Sequence, residues 1–159
     1  MPKVALIVGS TSDLPVVKEA YDLLRTFGVD VEVRVLSAHR TPEALKEYVM
    51  EADERGVEVF VAAAGKAAHL PGVVAAYTTK PVIGLPIPAK HLYGIDALLS
   101  IVQMPPGVPV ATVGVGEARN AALLSVQILS LKYGELAERL REYREGMRRK
   151  VLSSEVKME

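Results

Sequence analysis

The residues best suited to chemistry sit in Ala64-Gly65-Lys66-Ala67-Ala68-His69-Leu70-Pro71-Gly72, directly after an apolar run from Val57 to Ala63. Alanine and glycine there let a ligand approach the backbone closely, and His69 is the one nearby side chain of a type that titrates near neutral pH. Two other loops carry polar groups in the same setting. Gly9-Ser10-Thr11-Ser12-Asp13 follows the strand-like Val4 to Val8, and Ser37-Ala38-His39-Arg40-Thr41-Pro42 follows Val31 to Leu36. Small hydroxyls and free amides at a helix start suit an anion or a ribose phosphate, and Asp13 suits sugar hydroxyls. Arg40 offers a bidentate fork to a phosphate. Each loop alone has a plainer account: a tight turn beside a histidine, a helix cap by Ser12 or Asp13, a solvated His-Arg pair.

Elements that would bring the loops together are legible in the patterning. Asp13 to Phe27 carries apolar residues at helical spacing and stops at Gly28. Thr41-Pro42-Glu43 reads as an N-cap, first-turn proline and early acid, opening a helix that runs up to Gly56. Val57 to Ala63, Pro81 to Leu85 and Val108 to Val113 read as further strands. Pro71 to about Tyr77, Ile95 to Val102, Glu117 to Lys132 and about Glu135 to Leu152 read as helices. The strands are read as apolar throughout, as when both sheet faces are covered. The alternation predicts one α/β domain, a three-layer, flavodoxin-like or Rossmann-like sandwich on a parallel sheet, with all three loops at its carboxyl edge. Residues 1–133 form the α/β catalytic unit. Residues 134–159 form an amphipathic helix and tail of the same domain, whose stripe of Leu136, Leu140, Tyr143, Met147 and Val151 is expected to make oligomer contacts on a neighbouring subunit, with packing on its own domain as the alternative. Glu135 with Arg139 and Glu145 with Arg149 are spaced for i,i+4 pairs on its wetter side.

Composition removes several classes of function. The 159 residues balance 19 Lys and Arg against 19 Asp and Glu, so no basic field invites nucleic acid. No cysteine is present, which removes disulfides, thiol nucleophiles and cysteine metal sites. Three histidines in unrelated loops show no metal-ligand spacing, so no metal is expected, and His91 beside Lys90 reads as surface. The dinucleotide fingerprint and the Walker loop are both absent. The start of the chain has no signal-peptide layout and no run approaches the ~20 apolar residues of a membrane span, so a soluble cytoplasmic protein without a membrane partner is expected.

Read in order, Gly-Ser-x-Ser-Asp at Gly9 to Asp13, Ser-Ala-His-Arg-Thr-Pro at Ser37 to Pro42, Ala-Ala-His-Leu-Pro-Gly at Ala67 to Gly72 and Ser-Ile-Val-Gln-Met-Pro at Ser100 to Pro105 resemble the PurE family of purine biosynthesis. Asn120 to Leu124 continues the match, which covers about four fifths of the chain. The resemblance implies a flavodoxin-like sandwich, assembly as a homo-octamer, and no cofactor. It implies a mutase (isomerase) that converts 5-(carboxyamino)imidazole ribonucleotide to 4-carboxy-5-aminoimidazole ribonucleotide. Ser10 and Arg40 would hold the phosphate and Asp13 the ribose, while Ser37, His39, Gly65 and Leu70 line the site. His69 would move the proton, with His39 as the second catalytic histidine. The alternatives are direct carboxylation of 5-aminoimidazole ribonucleotide by carbon dioxide and a non-catalytic nucleotide-binding module. A flavin carrier ranks last for want of stacking aromatics in the loops. Two departures from the family stand out: Lys66 where it usually has a second glycine, and a shorter Gly114-to-Arg119 loop.

Overall fold

The computed structural model describes residues 1–158. Its five strands are β1 (Lys3–Val8), β2 (Asp30–Val35), β3 (Val59–Gly65), β4 (Val82–Ile87) and β5 (Ala111–Thr112). They form one parallel sheet in the order β2-β1-β3-β4-β5. The helices are α1 (Leu14–Thr26), α2 (Pro42–Glu54), α3 (Leu70–Ala76), α4 (Ile95–Val102), α5 (Ala118–Ser130) and α6 (Gly134–Leu152), with 3-10 turns at Thr11–Asp13 and Leu92–Gly94.

Strand periodicity sorts the core into two layers. Val4, Leu6 and Val8 of β1 join Val59, Val61 and Ala63 of β3 beneath α1, α5 and the first half of α6. Ala5, Ile7, Phe60, Ala62 and Ala64 point the other way, beneath α2, α3 and α4. The three-layer, doubly wound sandwich is as expected, with strand order reversing between β1 and β3. Crevices at such reversals are where open α/β sheets bind ligands.

Several boundaries differ from the sequence reading, each for a physical reason. β2 is not apolar throughout. Its Asp-Val-Glu-Val-Arg-Val run lies at the sheet edge with Val33 and Val35 exposed, where charged side chains discourage pairing with other chains. β5 shrinks from the expected Val108 to Val113 to two residues, because Pro109 has no N–H to give the ladder. β3 runs on to Gly65, which pairs with Ile87 of β4. The ladder tolerates small residues that a hydrophobicity count leaves out.

The first half of α6 packs on its own domain. Leu136 is buried beside α5, Leu140 and Tyr143 lean on the same core, and the Tyr143 ring meets Phe27 at 5.8 Å. Arg139 donates to the Phe27 carbonyl at 2.6 Å instead of pairing with Glu135, capping the end of α1. Glu145 and Arg149 do pair, at 3.5 Å. The second half of the stripe, Met147 and Val151, stays exposed.

Gly84 in the middle of β4 marks the tightest contact of the sheet. A Cβ there would lie 2.3 Å from Ile101 Cγ2 and 3.0 Å from Val110 Cγ1. Gly84→Ala should therefore destabilise the fold by about 1–3 kcal/mol through overpacking. Urea unfolding would show this as a lower midpoint, and an unchanged midpoint would contradict the packing.

Candidate active site

The three loops meet at the carboxyl edge of β2, β1 and β3. Gly9, Ser10, Asp13, Ser37, Ala38, His39, Arg40, Ala64, Gly65, Ala67, His69 and Leu70 together line one cavity of about 130 Å³. All eight residues singled out from the sequence are among them. A larger hollow of about 750 Å³ lies at the amino ends of β4 and β5. Its charged groups are already satisfied: Asp53 accepts from the Thr78 hydroxyl at 2.6 Å and pairs with Lys80 at 3.7 Å. The smaller cavity holds the groups able to do chemistry.

In the first loop Ser10, not Ser12 or Asp13, acts as the cap. Its Oγ accepts from the Ser12 amide at 3.3 Å and lies 3.0 Å from the Ser12 hydroxyl. Asp13 makes no capping bond, so its carboxylate is free to face the cavity. Burial pushes the Asp13 carboxyl above its ordinary range, and the nearby Arg40 charge opposes that shift.

The second loop is wound around Ser37. Arg40 donates its amide and Nε to Ser37 Oγ at 3.1 and 3.4 Å, and Nη2 donates to the Gly9 carbonyl at 3.1 Å. The guanidinium is thereby held between the first two loops, with the rest of its fork open. Thr41 is a contributor the sequence reading misassigned. It makes no side-chain cap to α2; its hydroxyl accepts from the Ser37 amide at 2.9 Å and donates to the Ser37 carbonyl at 3.1 Å. A threonine four residues after a loop serine carries that signal in retrospect, since hydroxyls readily close turns.

The third loop brings His69 against His39, with His39 Nε2 2.7 Å from His69 Nδ1. The rings meet edge to face, their centroids 4.8 Å apart. Gly65 lies close to β4: a Cβ there would sit 3.2 Å from the Ile87 carbonyl oxygen. Gly72 does the same for α3, where the would-be Cβ lies 3.1 Å from Met104 Sδ, which ties the Gln103-Met104-Pro105 segment to the histidine loop. The Gly114-to-Arg119 loop closes elsewhere, Gly116 donating to the Pro86 carbonyl at 2.8 Å, and does not line the cavity. His91 is exposed and does not line the cavity. Among the described residues no group of three or more His, Asp or Glu converges in a metal-ligating arrangement, and no helix is long and apolar enough to cross a membrane.

Comparison with known proteins gives the family. Residues 3–150 match the AIR carboxylase family. The chain belongs to that family. A stretch of 149 residues is 64% identical to the N5-carboxyaminoimidazole ribonucleotide mutase of Pyrococcus abyssi, covering 94% of this chain and 86% of that one. The enzyme of the same name from Saccharolobus solfataricus is 58% identical over 154 residues, covering 97% and 98% of the two chains. The crystal structure of Treponema denticola PurE superposes with a TM-score of 0.89 at 30% identity, covering 96% of this chain and 95% of that one. The α/β-sandwich expectation and the family resemblance are both borne out.

Lys66 follows Gly65 in the histidine loop. It is exposed, absent from the cavity lining, and held at φ 55° in the left-handed region that favours glycine. That conformation costs an L-residue about 1–2 kcal/mol, and glycine would return about 0.4–1 kcal/mol of it as extra freedom in the unfolded chain. Lys66→Gly should therefore raise stability by up to about 1 kcal/mol, with turnover unchanged. Thermal unfolding and a turnover assay check both halves, and lost activity would bring the Lys66 ammonium into the reaction.

Proposed function

We propose that this chain catalyses the conversion of N5-carboxyaminoimidazole ribonucleotide to 4-carboxy-5-aminoimidazole ribonucleotide, acting in the cytoplasm as a homo-oligomer. The observation that carries the reading is the convergence of Ser10, Asp13, Arg40, His39 and His69 in one cavity. The 64% identity to a mutase of that name stands beside it. Arg40, fixed by Ser37 and Gly9, offers its free donors to the substrate phosphate beside Ser10. Asp13 accepts from the ribose hydroxyls, and Gly65 and Leu70 form the wall against which the imidazole lies.

The chemistry needs one proton moved and carbon dioxide retained. The bond from the exocyclic nitrogen to the carboxylate carbon breaks, its electron pair stays on nitrogen, and nitrogen takes a proton. Ring C4 then attacks the released carbon dioxide, and loss of the C4 proton restores the aromatic ring. His69, hydrogen-bonded to His39, is the proton carrier in this reading. Histidine suits a step that needs both an acid and a base near neutral pH.

A cavity of about 130 Å³ holds the reacting groups but not a whole nucleotide, since small-molecule sites usually enclose ~300–1,000 Å³. A neighbouring subunit supplies the missing wall, and enclosure keeps carbon dioxide from escaping. An exposed apolar surface of the right kind is present at Leu92, Tyr93, Ile95, Leu99 and Val102, with Tyr93 79% exposed. Contiguous patches of this sort mark association surfaces. Octameric assembly, as the family resemblance implies, would cover it.

Direct carboxylation is the second reading. The matching family carries the description AIR carboxylase, and a chloroplastic phosphoribosylaminoimidazole carboxylase of Vigna aconitifolia is 52% identical over 153 residues, although this chain spans 28% of that protein. Both ribonucleotides assayed with and without bicarbonate separate the two. Turnover of the N5-carboxylated substrate without added bicarbonate is expected, and turnover only of 5-aminoimidazole ribonucleotide with bicarbonate would replace the mutase reading. In the same assay His69→Asn should lower kcat by about 100-fold or more while substrate affinity changes little. Near-wild-type turnover would remove the assignment. Sedimentation of the wild type should show a multi-subunit particle that Leu99→Asp breaks into smaller species. A monomeric wild type at micromolar concentration would defeat the assembly.

A further inference from the structure

Thr41 is exposed and does not line the cavity. Hydrogen bonds nonetheless tie it firmly to Ser37, which does. The Thr41 amide and hydroxyl both donate to the Ser37 carbonyl, at 3.0 and 3.1 Å, and the hydroxyl accepts from the Ser37 amide at 2.9 Å. Both backbone groups of Ser37 are thus held by a single residue. Ser37 in turn holds Arg40, its Oγ accepting from the Arg40 amide at 3.1 Å and from Nε at 3.4 Å. Arg40 Nη2 then donates to the Gly9 carbonyl at 3.1 Å. A continuous chain of hydrogen bonds runs from Thr41 through Ser37 and Arg40 to the first loop.

We propose that Thr41 is a positioning residue for anion binding: its hydroxyl, acting through Ser37, fixes the Arg40 guanidinium before a ligand arrives. This rests on the reading of the cavity as a site for a phosphorylated ribonucleotide. An arginine has a long, freely rotating stem, and ordering such a side chain at the moment of binding weakens affinity by about 3–10-fold. With Nε on Ser37 and Nη2 on Gly9, that ordering is complete in advance. Among the described residues Nη1 has no hydrogen-bond partner, so its hydrogens remain for the ligand.

Helix capping does not account for the hydroxyl. Thr41 makes no side-chain cap to α2, and the helix opens on its backbone alone, the Leu45 amide donating to the Thr41 carbonyl at 3.0 Å. Stability accounts for it poorly as well. The bonds between Thr41 and Ser37 lie in an exposed turn, where water replaces a lost partner at small cost. Water cannot replace their geometry. Without the hydroxyl, Ser37 is held to Thr41 by one backbone bond, and the Oγ that anchors the Arg40 fork loses its fixed place.

Two substitutions separate the hydroxyl from the rest of the side chain. Thr41→Val keeps the shape and loses the hydroxyl, while Thr41→Ser keeps the hydroxyl and loses the methyl. Calorimetric binding of 5-aminoimidazole ribonucleotide reads affinity without turnover. Thr41→Val should weaken it by about 3–10-fold and Thr41→Ser by less than about two-fold. In turnover of the N5-carboxylated substrate, Thr41→Val should raise KM by a similar factor and lower kcat by no more than about two-fold, as when only ground-state binding is lost. In an Arg40→Ala background, adding Thr41→Val should change affinity by less than about two-fold, because the group it positions is gone. Wild-type affinity in Thr41→Val, a Thr41→Ser as weak as Thr41→Val, or a full further loss on top of Arg40→Ala would each overturn the proposal. The last of these is the mark of general loosening of the loop. Melting temperatures are expected to stay within a few degrees of wild type, and Thr41→Ala repeats the cycle should Thr41→Val melt early. A wild type that binds no ribonucleotide defeats the reading of the site and the proposal with it. A wild type that binds, with Thr41→Val unaffected, defeats the proposal alone.

Discussion

Everything at the candidate site depends on β1 lying between β2 and β3 in one fixed register. Val8 is the residue that sets this: it pairs with Val35 on one side and Ala63 on the other. The Leu36 amide then donates to the Val8 carbonyl at 2.8 Å, so the second loop departs at the same height as the first. A slip of one residue in either pairing would carry a loop about 3.3 Å along the strand and turn its side chains to the opposite face. A histidine contact of 2.7 Å would not survive that displacement. The two-layer core guards the register, because a slipped β1 would exchange Leu6 and Val8 with Ala5 and Ile7 between faces packed by different helices.

On this frame the loops are held by their own hydrogen bonds and by close packing. Thr41 closes the second loop by two hydrogen bonds to Ser37, and Arg40 bridges to Gly9. Gly65 lets β3 lie close to Ile87, and Gly72 lets α3 lie close to Met104. Farther back, buried Tyr48 of α2 donates to Glu32 of β2 at 2.8 Å, and Arg55 donates to the same carboxylate at 2.9 Å. Burial would raise the Glu32 carboxyl, but those hydrogen bonds and the charges of Arg55 and Lys3 outweigh it and hold it below its ordinary range. The effect is to pin α2, and with it the loop that precedes α2, to an otherwise exposed edge strand.

Most of the fold was legible because buried parallel strands leave strong apolar runs, and β1, β3 and β4 read clearly. The misreadings cluster where burial is partial. β2 is an edge strand whose charged residues break the run, and β5 is cut short by Pro109. The site residues were legible as types at loop starts, and their convergence followed from the parallel arrangement. The distance between His39 and His69 was not, because it depends on strand order, and no local pattern says that β1 lies between its two successors. Thr41 was misread because a threonine ahead of a first-turn proline is the usual sign of an N-cap. Here its backbone, at φ −135° and ψ 55°, turns the hydroxyl back to Ser37.

The charge arrangement fits a small anion that must be held and then altered in a shielded place. The chain is formally neutral, so any attraction to an anion would be local, and in this cavity it would rest on Arg40 together with loop hydroxyls and amides. Asp13 stands close enough to Arg40 to feel its charge, yet burial dominates and raises its carboxyl. Ionisation of Asp13 in the fold is therefore disfavoured, and the stability its carboxyl contributes is present at low pH and lost as pH rises through the raised value. The folded chain thus holds there a part-buried carboxyl that makes no capping bond. Sugar hydroxyls would supply the hydrogen bonds it lacks. A group kept at some cost to stability, facing a cavity beside a tethered guanidinium, is better explained by a ligand than by the fold.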